Sequence, residues 1–199
     1  MYVARVLYPV EVLGPGKRVG IWFCGCPRRC KGCSNPELWE FQNRYLTSPK
    51  LVYELVLRIA KDNTIDGFTI NGGDPLYQAS DLRQLIMLLR TISEDIMVYT
   101  GYSIRELSDV DLDGIAVLID GEYIESRNNG SILRGSDNQT IHILDKKYEE
   151  NYLSFLSRSR NQIQNFMTSD GVISVGIHKP NFMIELDEAI LGKGLKDNE

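Results

Sequence analysis

The sequence lacks the features that would place the protein in a membrane or on a nucleic acid. No apolar run among its 199 residues approaches the roughly 20 residues that a membrane-spanning helix needs. The N-terminal stretch MYVARVLYPVEVLGPG has neither the uninterrupted apolar region nor the small-residue cleavage site of a signal peptide. The net charge is −5 and no basic stripe is present to neutralise phosphates. We therefore expect a cytoplasmic protein that binds neither membranes nor nucleic acids.

Cysteine is scarce, and its placement is informative. The four cysteines all lie within ten positions: Cys24, Cys26, Cys30 and Cys33. A secreted disulfide framework would spread its cysteines so that they close long loops. Clustering in a cytosolic chain indicates metal binding instead. Histidine is scarcer still, and the two isolated histidines, His142 and His178, are interpreted as structural or exposed.

The rest of the composition is that of a globular protein, with 43% apolar and 25% charged residues. Short apolar runs alternate with amphipathic segments, which is typical of βα units. The predicted strands are Val19–Phe23, Gly67–Ile70, Ile96–Tyr99 and Ile115–Ile119. Because these runs are continuously apolar, they favour a parallel sheet covered on both faces. The predicted fold class is α/β.

Helix starts are predicted from capping residues. Capping-box spacing occurs at Ser34–Glu37 and at Ser103–Glu106. Ser48 precedes a proline at the first helical position, and Ser80 precedes a further amphipathic segment. Each of these serines is expected to begin a helix.

The pattern changes near residue 146, so we predict a core over residues 1–145 and a C-terminal α+β extension over 146–199. The extension is expected to contain a helix, short antiparallel strands and a frayed tail: Lys146–Arg160, Gln162–Thr168, Val172–His178, Phe182–Leu186 and residues 192–199. We interpret it as packing on the core and favour a role in docking a partner. The alternative is a cap over exposed apolar edges.

Polar and glycine-rich clusters follow the predicted strands. The cysteine loop follows the first strand, Gly72-Gly73-Asp74 the second, Thr100 the third and Asp120 the fourth. Ligands of parallel α/β folds bind at this carboxyl edge of the sheet. These groups are therefore predicted to converge on one site, although Gly72-Gly73 and Asp120-Gly121 also suit simple tight turns.

The spacing of Cys26, Cys30 and Cys33 is C-x3-C-x2-C, which can deliver three thiolates to one iron–sulfur cluster. A cubane has four irons, so three cysteines leave one iron open for a substrate such as S-adenosylmethionine. A structural zinc knuckle, with Cys24 as fourth ligand, and a redox dithiol of Cys30 and Cys33 are alternatives. Cys24 itself ends an apolar strand and is interpreted as a buried, small hydrophobic residue.

The motifs resemble those of a known family. The cysteine spacing is that of the radical S-adenosylmethionine superfamily, and the wider pattern resembles its anaerobic ribonucleoside-triphosphate reductase activating branch. The motifs that carry the resemblance, in chain order, are Gly14-Pro-Gly-Lys-Arg18, Trp22-Phe-Cys-Gly-Cys26, Asn35-Pro-Glu-Leu-Trp39, Gly72-Gly-Asp-Pro-Leu76, Tyr99-Thr-Gly-Tyr102, Val117-Leu-Ile-Asp-Gly121 and Leu133-Arg-Gly-Ser-Asp-Asn-Gln139. They extend over roughly residues 1 to 145, and the residues from about 150 onward extend beyond the typical short activase.

The resemblance implies a truncated (β/α) barrel, a [4Fe–4S] cluster on Cys26, Cys30 and Cys33, and S-adenosylmethionine as cosubstrate. It also implies that Gly72, Gly73, Asp74, Thr100 and Asp120 contribute to cofactor binding. Asp74 would accept a hydrogen bond from the methionine ammonium. The expected substrate is a glycine of a large glycyl-radical enzyme, an anaerobic ribonucleotide reductase. The expected electron donor is a low-potential flavodoxin or ferredoxin type protein.

Two other functions remain compatible with the sequence. One keeps the radical chemistry but directs it at another substrate, such as a peptide. The other is a non-enzymatic, zinc-binding interaction module.

Overall fold

The computed structural model describes residues 1–157, 160–169 and 171–180, together with positions 182, 185 and 188. In this part of the chain, six strands form one sheet in the order β1-β2-β3-β4-β5-β6. The strands are β1 (Val3–Val10), β2 (Arg18–Phe23), β3 (Gly67–Gly72), β4 (Ile96–Tyr99), β5 (Val117–Asp120) and β6 (Thr140–Ile143). Strands β2 to β5 are parallel to one another, whereas β1 and β6 pair antiparallel at the two edges.

The four predicted strands are confirmed as β2 to β5, and the α/β class with a mostly parallel central sheet is confirmed with them. The edge strands β1 and β6 were not predicted. Strand β1 contains the cis Tyr8–Pro9 peptide bond and is half-buried along most of its length. Arg5 interrupts its apolar residues, so β1 lacks the continuous apolar run that identifies a central strand.

Two α-helices cover one face of the sheet, which we call the outer face. Helix α1 (Pro49–Ala60) connects β2 to β3, and helix α2 (Ala79–Leu89) connects β3 to β4. Their buried residues pack against the outward side chains of the parallel strands in one apolar cluster that includes Val56, Leu85, Ile21, Phe68 and Val98. This covering explains why the strands read as apolar on this side.

The predicted helix starts have mixed outcomes. The hydroxyl of Ser48 accepts the Leu51 N–H and begins α1 as predicted. The capping box at Ser103 is present, and it begins a short 3-10 helix. Ser80 does not cap α2, because a 3-10 turn that Asp74 caps runs directly into that helix. At Ser34 the expected helix is reduced to a 3-10 turn, whose cap residue is Asn35.

The inner face of the sheet is covered by the C-terminal part of the chain. Helix α3 (Glu149–Leu156) buries Tyr152 and Phe155 against Met97 and other residues of β4 and β5. A hairpin of β7 (Ile163–Thr168) and β8 (Gly171–Gly176) places Val175 against Trp22. Part of the inner-face core therefore comes from beyond residue 145, and the division of the chain at that point stays a prediction.

Four expectations for the C-terminal segment fall wholly or partly outside the described residues. The predicted helix Lys146–Arg160 is represented by a 3-10 turn followed by α3. Asp170 of the hairpin turn and the predicted frayed tail at 192–199 are not described. Of the predicted strand Phe182–Leu186, the two described residues, Phe182 and Glu185, are helical. Among the described residues, no helix is long and apolar enough to cross a membrane.

Candidate active site

The cysteine loop after β2 is held in place by backbone hydrogen bonds. The Cys26 N–H donates to the Trp39 carbonyl at 2.8 Å. The Asp74 N–H, from the loop after β3, donates to the Gly25 carbonyl at 2.8 Å. Within the loop, Arg29 and Gly32 have positive φ angles of 49° and 71°, which fold the chain sharply between the cysteines. The loop is therefore fixed to the neighbouring strand end.

Cys26, Cys30 and Cys33 line one cavity at the carboxyl end of the sheet, which we call the site cavity. The Asn35 N–H donates to the Cys33 sulfur at 3.4 Å. Nearby backbone N–H groups of Arg28 and Arg29 act to lower the pKa of Cys26, and that of Tyr123 acts to lower the pKa of Cys30, each against the larger effect of burial. Hydrogen bonds to sulfur are one of the means by which proteins tune iron–sulfur clusters.

Burial raises the pKa of the Cys30 thiol to about 11, and it also raises the pKa of the Cys26 thiol. Both thiols are therefore protonated at neutral pH unless a cation is bound. Iron would be that cation, because coordination to a metal deprotonates a thiol.

Cys24 differs from the other three cysteines in its surroundings. It is fully buried and lies outside the residues that line the site cavity. Its thiol donates to the Glu40 carbonyl at 2.7 Å, so it is held in the protonated form. This environment matches the interpretation of Cys24 as a packed side chain.

The donor set fits a cluster better than a single metal ion. Among the described residues, no three His, Cys, Asp or Glu side chains converge closely enough to hold one ion. A structural zinc site needs four ligands around one point. In a cubane each cysteine binds a different iron, so three separated thiols around a shared cavity suit it.

The two glycines after β3 allow two loops to touch. A Cβ on Gly72, whose φ is +109°, would lie 2.4 Å from the Phe23 carbonyl oxygen, and one on Gly73 would lie 2.4 Å from that of Gly25. The Gly73 N–H donates to the Phe23 carbonyl at 2.8 Å. Both glycines thus bring the β3 loop against the cysteine loop, and both line the site cavity. Their contact with a ligand stays a prediction.

Asp74 links the end of β3 to the end of β4. Its carboxylate accepts the Leu76 N–H at 3.1 Å, the Thr100 hydroxyl at 2.9 Å and the Gly101 N–H at 2.9 Å. The residue is only 1% exposed, and burial raises its pKa despite these bonds. Asp74 and Thr100 therefore form one unit that lines the site cavity.

Asp120 is placed differently from the other predicted site residues. It is buried at the end of β5, but it is not among the residues that line the site cavity. One carboxylate oxygen accepts the Ile104 N–H at 2.6 Å, and the other lies 3.0 Å from His142 Nε2. The visible role of Asp120 is to hold the start of the 3-10 helix after β4, and its cofactor role stays a prediction.

The site cavity contains buried polar atoms that have no partner. In the described part of the chain, Trp39 Nε1, Asn71 Oδ1 and the Tyr99 hydroxyl are buried without a hydrogen bond, and all three residues line the cavity. Unpartnered buried groups are rare and costly in native proteins. A ligand with both hydrogen-bond donors and acceptors would satisfy them, and S-adenosylmethionine carries both. Tyr99 begins one of the motifs of the resemblance and Asn71 precedes another, but neither was predicted as a site residue, because only the fold brings their polar atoms together.

Sequence reasoning also missed Ser174 and His178. Both line the same cavity from the C-terminal hairpin, and the Ser174 hydroxyl lies 2.9 Å from His178 Nε2. More than 140 residues separate them from Cys33 in the sequence. No local motif marks them, so the interpretation of His178 as merely structural or exposed followed from its isolation in the chain.

A family model described as a 4Fe-4S single cluster domain matches residues 12–142. The chain is 35% identical to the anaerobic ribonucleoside-triphosphate reductase-activating protein of Enterobacteria phage T4 over 141 residues, which cover 68% of this chain and 90% of the phage protein. It is 36% identical to the protein of that name from Vibrio cholerae serotype O1, over 68% of this chain and 94% of that protein.

The chain belongs to the radical S-adenosylmethionine activase family. A more distant member is the pyruvate formate-lyase-activating enzyme of Clostridium pasteurianum, 28% identical over half of each chain. Membership makes the protein an enzyme whose cofactors are a 4Fe-4S cluster and S-adenosylmethionine. The activase match ends at residue 142 in the family model, so α3 and the β7–β8 hairpin lie beyond it.

Proposed function

We propose that the protein generates a glycyl radical on a large partner enzyme, an anaerobic ribonucleotide reductase. The observation that carries this proposal is the shared cavity, which is lined by three thiols, by Gly72-Gly73-Asp74 and by unpartnered polar atoms. Relatives that match along 90% or more of their length are named as activators of that reductase. The resemblance to pyruvate formate-lyase activation covers only half of the chain, so the reductase is the better partner.

In this proposal, Cys26, Cys30 and Cys33 hold the cluster and leave one iron without a protein ligand. When bound, the cluster would supply the one electron needed to cleave S-adenosylmethionine into methionine and a 5′-deoxyadenosyl radical, which would take a hydrogen atom from glycine. A low-potential protein of the flavodoxin or ferredoxin type supplies the electron. The protein's own residues position and shield these groups.

Asp74 and Thr100 act in this proposal as the rigid edge of the cosubstrate site. The Asp74 carboxylate is fixed by three donors, so its remaining lone pair has a defined direction. A methionine ammonium that approached it would gain a charge-assisted hydrogen bond. Arg28 donates to Glu106 at 2.7 Å and so links the cysteine loop to the segment after β4. This link holds Asp74 and Thr100 at a fixed position relative to the cysteines.

We also propose that the main sheet is a shortened (β/α) barrel in which the C-terminal segment replaces the missing strands. Helix α3 and Val175 of the hairpin bury the inner face that further strands would otherwise cover. In this view α3 and the β7–β8 hairpin enclose the reaction space and present a surface to the partner.

The proposal is tested with the anaerobically reconstituted enzyme, S-adenosylmethionine, a chemical reductant and the purified reductase. We expect a glycyl-radical signal in electron paramagnetic resonance, with equimolar methionine and 5′-deoxyadenosine. Reductase labelled with deuterium at glycine Cα should transfer deuterium to the 5′-deoxyadenosine. Cleavage without any radical on the reductase would favour a different substrate, such as a peptide. A zinc-loaded, iron-free protein with no cleavage would overturn the enzymatic assignment of the site.

A further inference from the structure

The β7–β8 hairpin is built into the wall of the site cavity. Val175 is 3% exposed and packs in an apolar cluster with Leu13 and Trp22, both of which line that cavity. The hairpin lies beyond residue 142, where the family match ends. This chain therefore encloses its reaction space with an element that the family domain does not include.

Hydrogen bonds fasten the hairpin at two separate places. The Gln164 side chain donates to the Pro9 carbonyl at 2.7 Å and accepts the Glu11 N–H at 3.0 Å. At the other end, the Asn128 amide donates to the His178 carbonyl at 2.8 Å. The hairpin thus spans from β1 to the loop after β5, and the end of β8 has a fixed position.

The end of β8 presents an uncharged polar pair to the cavity. The Ser174 hydroxyl and His178 Nε2 are 2.9 Å apart, and the His178 ring also contacts Phe182 with its centroid 4.3 Å away. Burial lowers the pKa of His178, which leaves the imidazole neutral at neutral pH. A neutral imidazole and a hydroxyl both donate and accept hydrogen bonds.

The charged groups of the cavity lie on other elements. Apart from the cysteines, the charged side chains that line it in the described part of the chain are Arg28 and Asp74. The charged methionyl end of S-adenosylmethionine matches Arg28 and Asp74 in chemistry. The uncharged end of the same molecule, its ribose hydroxyls and adenine, matches the Ser174–His178 pair in chemistry.

We propose that Ser174 and His178 form the nucleoside-binding part of the cosubstrate site. This assignment rests on the proposed function, because it takes S-adenosylmethionine as the ligand of the cavity. The hairpin then contributes directly to binding the cosubstrate, in addition to covering the inner face.

The test measures binding to the reconstituted holoenzyme by calorimetry without reductant, so that no cleavage occurs. His178→Phe, which keeps an aromatic ring against Phe182, and Ser174→Ala should each weaken S-adenosylmethionine binding about three- to tenfold. Binding of 5′-deoxyadenosine should weaken by the same factor, whereas methionine binding should not change. The control is Met167→Ala, which removes a side chain that is 82% exposed on the same hairpin.

The outcomes separate this inference from the proposed function. Unchanged S-adenosylmethionine affinity in both variants, with wild-type cluster content and melting temperature, would overturn the nucleoside assignment. Unchanged affinity combined with lost radical transfer to the reductase would also overturn it and would place the pair against the radical acceptor. Failure of the wild-type holoenzyme to bind S-adenosylmethionine would count against the proposed function itself.

Discussion

Two buried polar regions of this molecule differ in how completely their hydrogen bonds are made. The first, which we call the Arg18 network, comprises Arg18, Thr69, Asp95 and Tyr152. The Arg18 guanidinium donates to Thr69 at 2.7 Å and to the Asp95 carboxylate at 2.7 and 3.2 Å. The Tyr152 hydroxyl donates to the same carboxylate at 2.7 Å. The second region, the site cavity, contains partnerless polar atoms on Trp39, Asn71 and Tyr99.

The difference indicates a structural role for the Arg18 network and a ligand-binding role for the site cavity. A buried charged network is tolerated only when its members are satisfied, and the Arg18 network meets that condition. A cavity with orphaned donors and acceptors is costly unless a ligand completes it. Arg18 belongs to a motif that resembles the activase family, yet its contacts are internal, so its role is to hold the strands in place.

The largest expected effect concerns the cluster. Replacing Cys26, Cys30 or Cys33 by Ala should abolish cluster assembly, because each removes one thiolate of three. Cys24→Ala is the matched control and should retain the cluster, since the Cys24 thiol bonds to a carbonyl away from the cavity. Iron and sulfide content after anaerobic reconstitution measures both. Loss of the cluster in Cys24→Ala, with retention in Cys33→Ala, would reverse the ligand assignment.

The second-largest expected effect concerns the Arg18 network. Arg18→Ala should lower the free energy of unfolding by about 3–5 kcal/mol, because it leaves the Asp95 carboxylate buried without its cation. The exposed pair of Arg83 and Asp111, at 2.9 Å, provides the control. Arg83→Ala should change stability by less than about 1 kcal/mol. Urea unfolding measures both, and equal effects would contradict the structural role of Arg18.

The third prediction concerns Asp74, which lines the site cavity and lies outside the Arg18 network. Asp74→Ala should weaken S-adenosylmethionine binding on the order of tenfold to a hundredfold, because a charge-assisted hydrogen bond is worth about 1.5–3 kcal/mol. Cluster content should change less. Asp113→Ala is a control on an exposed carboxylate, 78% exposed at its side chain. An affinity equal to that of the wild type would restrict Asp74 to holding Thr100 and Gly101.

The smallest expected effect is that of Tyr99→Phe, and it is best measured against Tyr152→Phe, which removes a second buried tyrosine hydroxyl. Tyr152→Phe should cost about 1.5–3 kcal/mol of stability, since it removes a hydrogen bond to a carboxylate. Tyr99→Phe should cost nothing without ligand, because the Tyr99 hydroxyl has no partner. Thermal unfolding of the cluster-free proteins measures this difference. A loss of stability in Tyr99→Phe as large as that in Tyr152→Phe would mean that the Tyr99 hydroxyl already has a hydrogen-bond partner within the protein.

The parallel strands and the grouping of three cysteines at one cavity could be predicted because each is encoded locally. Continuous apolar runs identify β2 to β5, and the three cysteines stand close together in the sequence. The edge strands could not be predicted in this way, because β6 has no fully buried residue and β1 is mostly half-buried. Ser80 was misread as a cap because its helix already begins with the turn after Asp74.

The far wall of the site could not be predicted because it depends on tertiary packing. His178 reaches the cavity only because the hairpin folds over the inner face, and its sequence neighbours give no indication of this. Asn71 stands beside one of the motifs and Tyr99 begins another, but whether their polar atoms have partners is a property of the folded chain. The sequence thus predicts the cofactor chemistry, and the fold shows which residues line the site cavity.

The central claim is that three thiols of this chain hold a cluster with one open iron beside the S-adenosylmethionine site. Mössbauer spectroscopy of the protein reconstituted with ⁵⁷Fe tests it directly. We predict that adding S-adenosylmethionine changes the signal of one iron in four and that Cys24→Ala gives the same spectra. Four irons that all remain unchanged on addition of S-adenosylmethionine, or a fourth thiolate contributed by Cys24, would contradict it.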